Sequence, residues 1–167
     1  LLVPDQLREA AAALGMPPQF TAWRPGQEAA FEMFERATTR VKALCSPTGS
    51  GKSITFVADA LRSGKPTCFV TDSRALQDQL LTTFESLGLV DLRGRANYAC
   101  CLKPEDPTYS CEDGYAARCP NKGTHRCEAS QAEMRASASK LVVTNYAKWI
   151  HARKHGQGLA HIQRVVF

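Results

Sequence analysis

The stretch Ser46-Pro47-Thr48-Gly49-Ser50-Gly51-Lys52-Ser53 decides how this chain is read. It spells S-P-T-G-S-G-K-S, the phosphate-cradling pattern G-x-x-x-x-G-K-[ST] with Ser46 in place of the first glycine. Ahead of it, Val41-Lys42-Ala43-Leu44-Cys45 is mostly apolar and predicts a short buried strand. Behind it, Ile54 to Leu61 carries apolar residues at helical spacing, which predicts a helix opening at Lys52. A polyphosphate needs many donors aimed at one point. Gly49 and Gly51 let the backbone turn successive N–H groups inward. The helix N-terminus adds unpaired N–H groups and a positive dipole end. The candidate cofactor-binding residues are therefore Pro47, Thr48, Gly49, Ser50, Gly51, Lys52 and Ser53. Lys52 would reach the β/γ-phosphates and Ser53 would hold Mg²⁺, so these two are the catalytic candidates. The plain alternative is a glycine-rich turn with an exposed lysine; the agreement of strand, loop and helix argues against it.

Upstream, residues 4–14 are alanine-rich and predict a helix stopped by Gly15. Trp23-Arg24-Pro25-Gly26-Gln27 follows, then a helix from Gln27 to about Ala37 with Ala30, Phe31 and Phe34 on its inner face. An aromatic residue followed by Arg-Pro-Gly-Gln just before a phosphate loop suits adenine reading, because the Gln27 amide offers both a donor and an acceptor. As a lone residue Gln27 would serve as a helix cap. Downstream, Ser63 to Pro66 is a turn and Thr67 to Thr71 a second strand, giving a right-handed parallel unit. Asp72-Ser73 can cap a helix through about Leu87, with Leu76, Leu80, Leu81 and Phe84 at helical spacing and Gly88 at its end.

A chain of 167 residues is long enough for one sizeable core. No apolar run approaches the roughly 18 residues of a membrane helix, and no secretory start is visible, so a cytoplasmic protein with no membrane partner is expected, in a bacterial or phage-infected cell. Residues 1–90 balance nine Lys/Arg against nine Asp/Glu, whereas residues 91–167 hold twelve against seven. The whole excess of +5 thus sits in the second half and suits a polyanionic partner, though a merely soluble surface accounts for it as well.

Seven cysteines without a secretory signal argue for metal or redox chemistry rather than disulfides. Cys45 and Cys68 fall in expected strands and read as buried small hydrophobes. Cys100, Cys101, Cys111, Cys119 and Cys127 fall within 28 residues, in a segment with little apolar material. Such a segment needs a metal centre to order it. Four thiolates suit either a [4Fe–4S] cluster or Zn²⁺. Zinc modules usually carry a ligand pair two to four residues apart, and apart from adjacent Cys100 and Cys101 there is none here. Lys103, Arg118, Lys122 and Arg126, interleaved with Tyr98, Tyr109 and Tyr115, fit single-strand binding by phosphate contact and stacking, or equally a solvated local surface. After a helix from Glu128 to Ala138, Lys140 to Thr144 reads as a third buried parallel strand. Ala147 to His155 predicts a helix broken at Gly156-Gln157-Gly158, and Arg164 to Phe167 starts a fourth strand.

S-P-T-G-S-G-K-S followed by V-T-D-S-R-A-L-Q-D-Q-L resembles motifs I and Ia of superfamily 2 helicases. G-R-A-N-Y-A-C at residues 94–100, the four spaced cysteines and L-V-V-T-N-Y-A at 141–147 resemble the XPD/DinG-like iron–sulfur group. The resemblance implies an α/β fold: a parallel-sheet P-loop NTPase (RecA-like) lobe with an inserted cysteine-rich metal-binding subdomain. It divides the chain into residues 1–19, 20–91, 92–137 (the insert) and 138–167. It implies ATP and Mg²⁺ as cofactors and a [4Fe–4S] cluster, with Zn²⁺ as the alternative. The metal ligands are Cys100, Cys111, Cys119 and Cys127, with Cys101 able to replace Cys100 and His125 a further ligand if the metal is zinc. The gaps of ten, seven and seven residues depart from better-known members, which have a closer middle pair. Nucleic-acid contacts are implied at Thr71, Ser73 and Arg74, with Gln77 or Gln79 beside them, and single-stranded or forked DNA as partner. In the group the fourth strand leads into D-E-A-H and a second motor lobe, neither of which lies in these residues. The expectation is therefore a DNA helicase portion with little ATP turnover of its own; the alternative is a nucleic-acid-binding metal module without motor activity.

Overall fold

The structure, a computed structural model, describes residues 14–155 and 158–167. The helix expected from residue 4 lies outside the described residues except for Leu14, as does the break at Gly156-Gln157. The chain divides into two compact units at Lys65/Pro66.

In the first unit, helix α1 (Gln27–Arg36) follows Gly26, whose φ of 85° gives the left-handed turn that admits the chain into the helix. Helix α2 (Lys52–Ser63) ends at Gly64, again left-handed. Their apolar faces meet: Phe34 is buried and stacks on Phe56 at 5.3 Å between ring centroids. Arg62 lies over the Phe31 ring at 4.6 Å and pairs with Glu35 and Asp59. The expected strand at Val41 to Cys45 is not formed; these residues carry no regular structure. Val41 is 80% exposed and Cys45 is exposed as well, against the expectation of a buried pair. The other regular elements described in this unit are helices, so an extended segment finds no ladder to join, and apolar composition alone does not make a strand.

The second unit is built on a parallel sheet of order β2-β3-β1-β4. Its strands are β1 (Thr67–Thr71), β2 (Val90–Leu92), β3 (Leu141–Asn145) and β4 (Arg164–Val166). Phe69 lies opposite both Val143 of β3 and Val166 of β4, and Asp91 opposite Val143. Central β1 is buried along its whole length, as an apolar, β-branched run between covered faces should be. Helix α3 (Arg74–Phe84) is capped by Ser73, whose hydroxyl accepts from Leu76 N, and passes through a 3₁₀ turn to left-handed Gly88. Helices α4 (Cys111–Ala116), α5 (Glu128–Ala138) and α6 (Tyr146–His155) follow. Ala132 and Ala136 of α5 and Ala152 of α6 join Cys68, Val70, Leu92 and Val142 in one core. Small side chains on those helices allow close approach to the sheet. Burying Leu92 fully stabilises the fold by about 1.5–3 kcal/mol.

Strand β2 was not expected from the sequence, since it is three residues long and has a charge at its centre. The charge is accommodated: buried Gln77 donates through Nε2 to Asp91 Oδ1, and Arg93 Nε donates to Asp91 Oδ2. No described helix is long and apolar enough to cross a membrane.

Candidate functional site

The first unit holds one candidate site and the second holds two. In the first, residues 47–51 turn sharply into α2, with Gly49 at φ 80° and Gly51 at φ 81°. Both angles are left-handed and favour glycine. Ser46 Oγ donates to Ser50 Oγ at 2.6 Å, so the serine that replaces the first glycine braces the loop across its mouth. Lys52 curls back, its Nζ donating to Ser46 O at 2.7 Å and Pro47 O at 2.9 Å. Ser53 lies in the first turn of α2, and Pro47 and Thr48 are exposed.

Arg24 and Gln27 hold this loop from behind. Arg24 Nη1 donates to Gly49 O at 3.1 Å. Gln27 is 5% exposed; its Nε2 donates to Ser50 O at 2.9 Å and Gly51 O at 3.2 Å, while Oε1 accepts from Arg24 N at 2.8 Å. Both amide hydrogens are thus committed to the loop backbone, and the donor half of the expected adenine contact is taken up. The fit is close: a Cβ at Gly51 would stand 2.0 Å from Gln27 Nε2, while one at Gly49 would meet nothing within 4 Å.

In the second unit, the residues expected to touch nucleic acid differ in access. Thr71 is buried, and its hydroxyl donates to Ser73 O. The Ser73 hydroxyl is engaged in capping α3. Arg74 and Gln79 are exposed, whereas Gln77 is buried under β2 and β3 and cannot reach a nucleic-acid backbone. Asn145, at the end of β3, accepts from Lys148 N and so caps α6.

The cysteine segment is more ordered than its composition suggests. An antiparallel bridge joins Ala99 to Ser110, and Cys111 N donates to Tyr98 O at 2.8 Å, which sets Cys100 and Cys111 on adjoining strands of chain. Ser110 and Asp113 form a reciprocal capping box that starts α4. Gly114 lets α4 lie directly on Cys100, whose Sγ would be 2.3 Å from a Cβ there. Arg118 at φ 57° turns the chain back, and Cys119 N donates to Gly114 O at 2.9 Å. Cys127 then takes the N-cap position of α5.

These turns bring all five cysteines of the segment, Cys101 included, to the wall of one pocket. Cys111 Sγ and Cys127 Sγ are 3.5 Å apart. The sulfurs of Cys100, Cys101 and Cys119 all lie within 4.8 Å of one another. Cys100, Cys111 and Cys127 are buried; Cys101 and Cys119 are half-buried. His125 is exposed and does not line the pocket, so the expected extra zinc ligand is not brought in. Burial, then the neighbouring Cys127 and Cys100 sulfurs, push the Cys111 thiol up to about 12. Burial also raises Cys119, with Cys101 and Cys100 adding to it. At Cys127 burial pushes upward too, but the neighbouring Ser130, Cys111 and Ala129 groups outweigh it and bring the thiol below its ordinary value. A helix N-terminus favours a thiolate in this way. Crowded thiols resist losing their protons together unless a cation joins them, and a soft metal ion is the cation such a donor set fits.

The rim of the pocket is basic. Arg95 and Lys122 both lie over the Tyr115 ring, at 4.4 and 4.2 Å, and Lys103 lies over Tyr109 at 4.5 Å. Two of the three tyrosines considered for base stacking are thus engaged with cations of the same chain. Arg95 also reaches Glu133 Oε1 at 3.6 Å, the oxygen to which buried Lys148 donates at 2.9 Å. Sequence reasoning gave Arg95, Gly114 and Ser130 no role here. The arginine of G-R-A-N-Y-A-C and the glycine four residues after Ser110 were the available signals.

A parallel α/β sheet with a Gly-Lys-Ser loop opening a helix defines a P-loop NTPase-like lobe. The family described as type III restriction enzyme, res subunit (ResIII) matches residues 20–164, and the chain belongs to it. That is a helicase superfamily 2 family of ATP-dependent enzymes that act on nucleic acid. No curated protein and no solved structure matches the chain.

Proposed function

We propose that this chain is part of the first motor lobe of an iron–sulfur, XPD/DinG-like DNA helicase, which couples ATP hydrolysis to movement along single-stranded or forked DNA. Within it, residues 47–53 bind the phosphates of ATP: Lys52 releases Ser46 and Pro47 to meet the β/γ-phosphates, and Ser53 holds Mg²⁺. Gln27 and Arg24 keep the loop in its turned shape. Arg74, Ser73 and Thr71 mark the nucleic-acid side, with the exposed Arg74 side chain making the contact. Residues 92–137 form an inserted metal domain in which Cys100, Cys111, Cys119 and Cys127 hold a [4Fe–4S] cluster. A cluster bound there supplies a rigid cross-link among four chain segments. Arg95 and Lys122 offset its negative charge.

The observation that carries this reading is the gathering of five thiols on one pocket wall, in the segment of chain that joins β2 to β3 of an ATPase-like sheet. A second reading, zinc, is favoured by the 3.5 Å pair, since four thiolates at about 2.3 Å from a tetrahedral ion stand roughly 3.8 Å apart. Oxygen-free purification with iron, sulfide and zinc analysis decides between them. About four irons and four sulfides per chain are expected for the cluster; one zinc and no iron overturns it in favour of zinc. ATPase activity of the full-length protein that does not respond to single-stranded DNA overturns the motor assignment.

A further inference from the structure

The pocket has one thiol more than a four-thiolate centre uses, and the five are not equivalent. Cys100 is fixed by α4 lying on it, is buried, lines the same pocket as Cys111 and Cys127, and has its sulfur within 4.8 Å of those of Cys101 and Cys119. It joins the Cys111–Cys127 pair to the outer group. Cys101 and Cys119 are both half-buried, lie within 4.8 Å of each other and of Cys100, and occupy the more open side. Asn121 Nδ2 donates to Cys101 Sγ at 3.4 Å, as it would to a coordinated thiolate.

We propose that Cys100, Cys111 and Cys127 are fixed ligands, and that the fourth position is shared: Cys101 and Cys119 are interchangeable ligands of the same metal centre. Either one, as the thiolate, occupies the position while the other remains a free thiol beside it. Exchange transfers one proton from the incoming thiol to the departing thiolate and changes no oxidation state. This inference rests on the metal-centre reading above. It resolves the choice between Cys100 and Cys101: Cys100 is required, and Cys101 duplicates Cys119.

The test is metal content per chain after oxygen-free purification, for the whole chain and for C100S, C101S, C119S and C101S/C119S. C101S and C119S are each expected to hold the same metal as the parent. C100S and the double variant are expected to lose at least tenfold. Metal loss in C119S as complete as in the double variant overturns the exchange, as does full occupancy in the double variant. A metal-free parent sinks the metal centre itself, a result distinct from either of these. Iodoacetamide labelling of the loaded parent chain, read by mass spectrometry, covers the case in which C119S fails to fold. Label divided between Cys101 and Cys119 supports the exchange, and label confined to Cys101 overturns it. Exposed Cys45 serves as the fully labelled reference.

Discussion

Replacing Gly51 with alanine tests the grip of Gln27 on the phosphate loop, and the loop carries its own control. Gly49 and Gly51 share nearly the same left-handed backbone, φ 80° and 81°. An alanine at either position therefore pays the same conformational cost, about 1–2 kcal/mol. Only at Gly51 does the new methyl group collide, 2.0 Å from Gln27 Nε2. Relieving that contact moves the amide off Ser50 O and Gly51 O, two hydrogen bonds that each contribute about 0.5–1.5 kcal/mol net. G51A should therefore be less stable than G49A by about 1–3 kcal/mol. At about 2–4 °C per kcal/mol for a chain of this size, the gap is roughly 2–12 °C in Tm. Urea or thermal unfolding of G49A, G51A, Q27A and G51A/Q27A measures it. Because Q27A removes the group that is struck, G51A should cost less on the Q27A background than on the parent. Equal losses for G49A and G51A, or strict additivity in the double variant, would refute the clamp.

Lys52→Ala should cut nucleotide affinity at least tenfold while lowering stability by no more than about 1 kcal/mol, because two backbone carbonyls on an open loop regain water; titration calorimetry and a melting curve separate the two. Gly114→Ala places a Cβ 2.3 Å from Cys100 Sγ and should cost about 1–3 kcal/mol and reduce metal uptake, although alanine is the better helix former; unchanged melting and metal content would count against α4 resting on Cys100. Ser110 hydrogen bonds hold the Asp113 carboxyl below its ordinary value. A depressed carboxyl contributes stability that is present above its unfolded pKa, about 3.9, and is lost as pH falls through the folded value. S110A should therefore flatten the loss of α4 structure below about pH 4 relative to the parent, followed by NMR shifts of Asp113; identical acid profiles would contradict the capping box.

The longer helices and the two central strands were legible because their patterns are local, whereas the short α4 (Cys111–Ala116) was not expected. Gln27 to Arg36, Lys52 to Ser63 and Glu128 to Ala138 show apolar spacing with glycine or cysteine at the boundary, and β1 and β3 are β-branched runs. The failures came where a partner decides. Val41 to Cys45 has strand composition but no neighbour in its unit, whereas Val90 to Leu92 has poor composition and forms a strand because β3 offers an edge and Gln77 and Arg93 receive its aspartate. The turn at Gly49 and Gly51 and the helix opening at Lys52 were readable from the sequence, without the strand expected before them; that Gln27 would commit its amide to that loop was not, because only the three-dimensional turn brings the groups together. Cysteine spacing indicated a shared site, but separation along the chain carries no information on which of two adjacent thiols faces it, and the backbone places both there.

The carboxylate of Glu133 stands between two cations, with Arg95 and Lys148 drawn to the same oxygen. Such an arrangement is lopsided in its tolerance of change. If the arginine drifts to a neutral residue, the acid keeps a partner in the lysine and the local charge stays compensated. If the acid itself is lost, a nearly enclosed ammonium at the start of α6 has its counter-ion removed at a stroke. Natural variation around the thiol pocket should therefore be freer at position 95 than at 133, even though it is the former that lines the pocket wall.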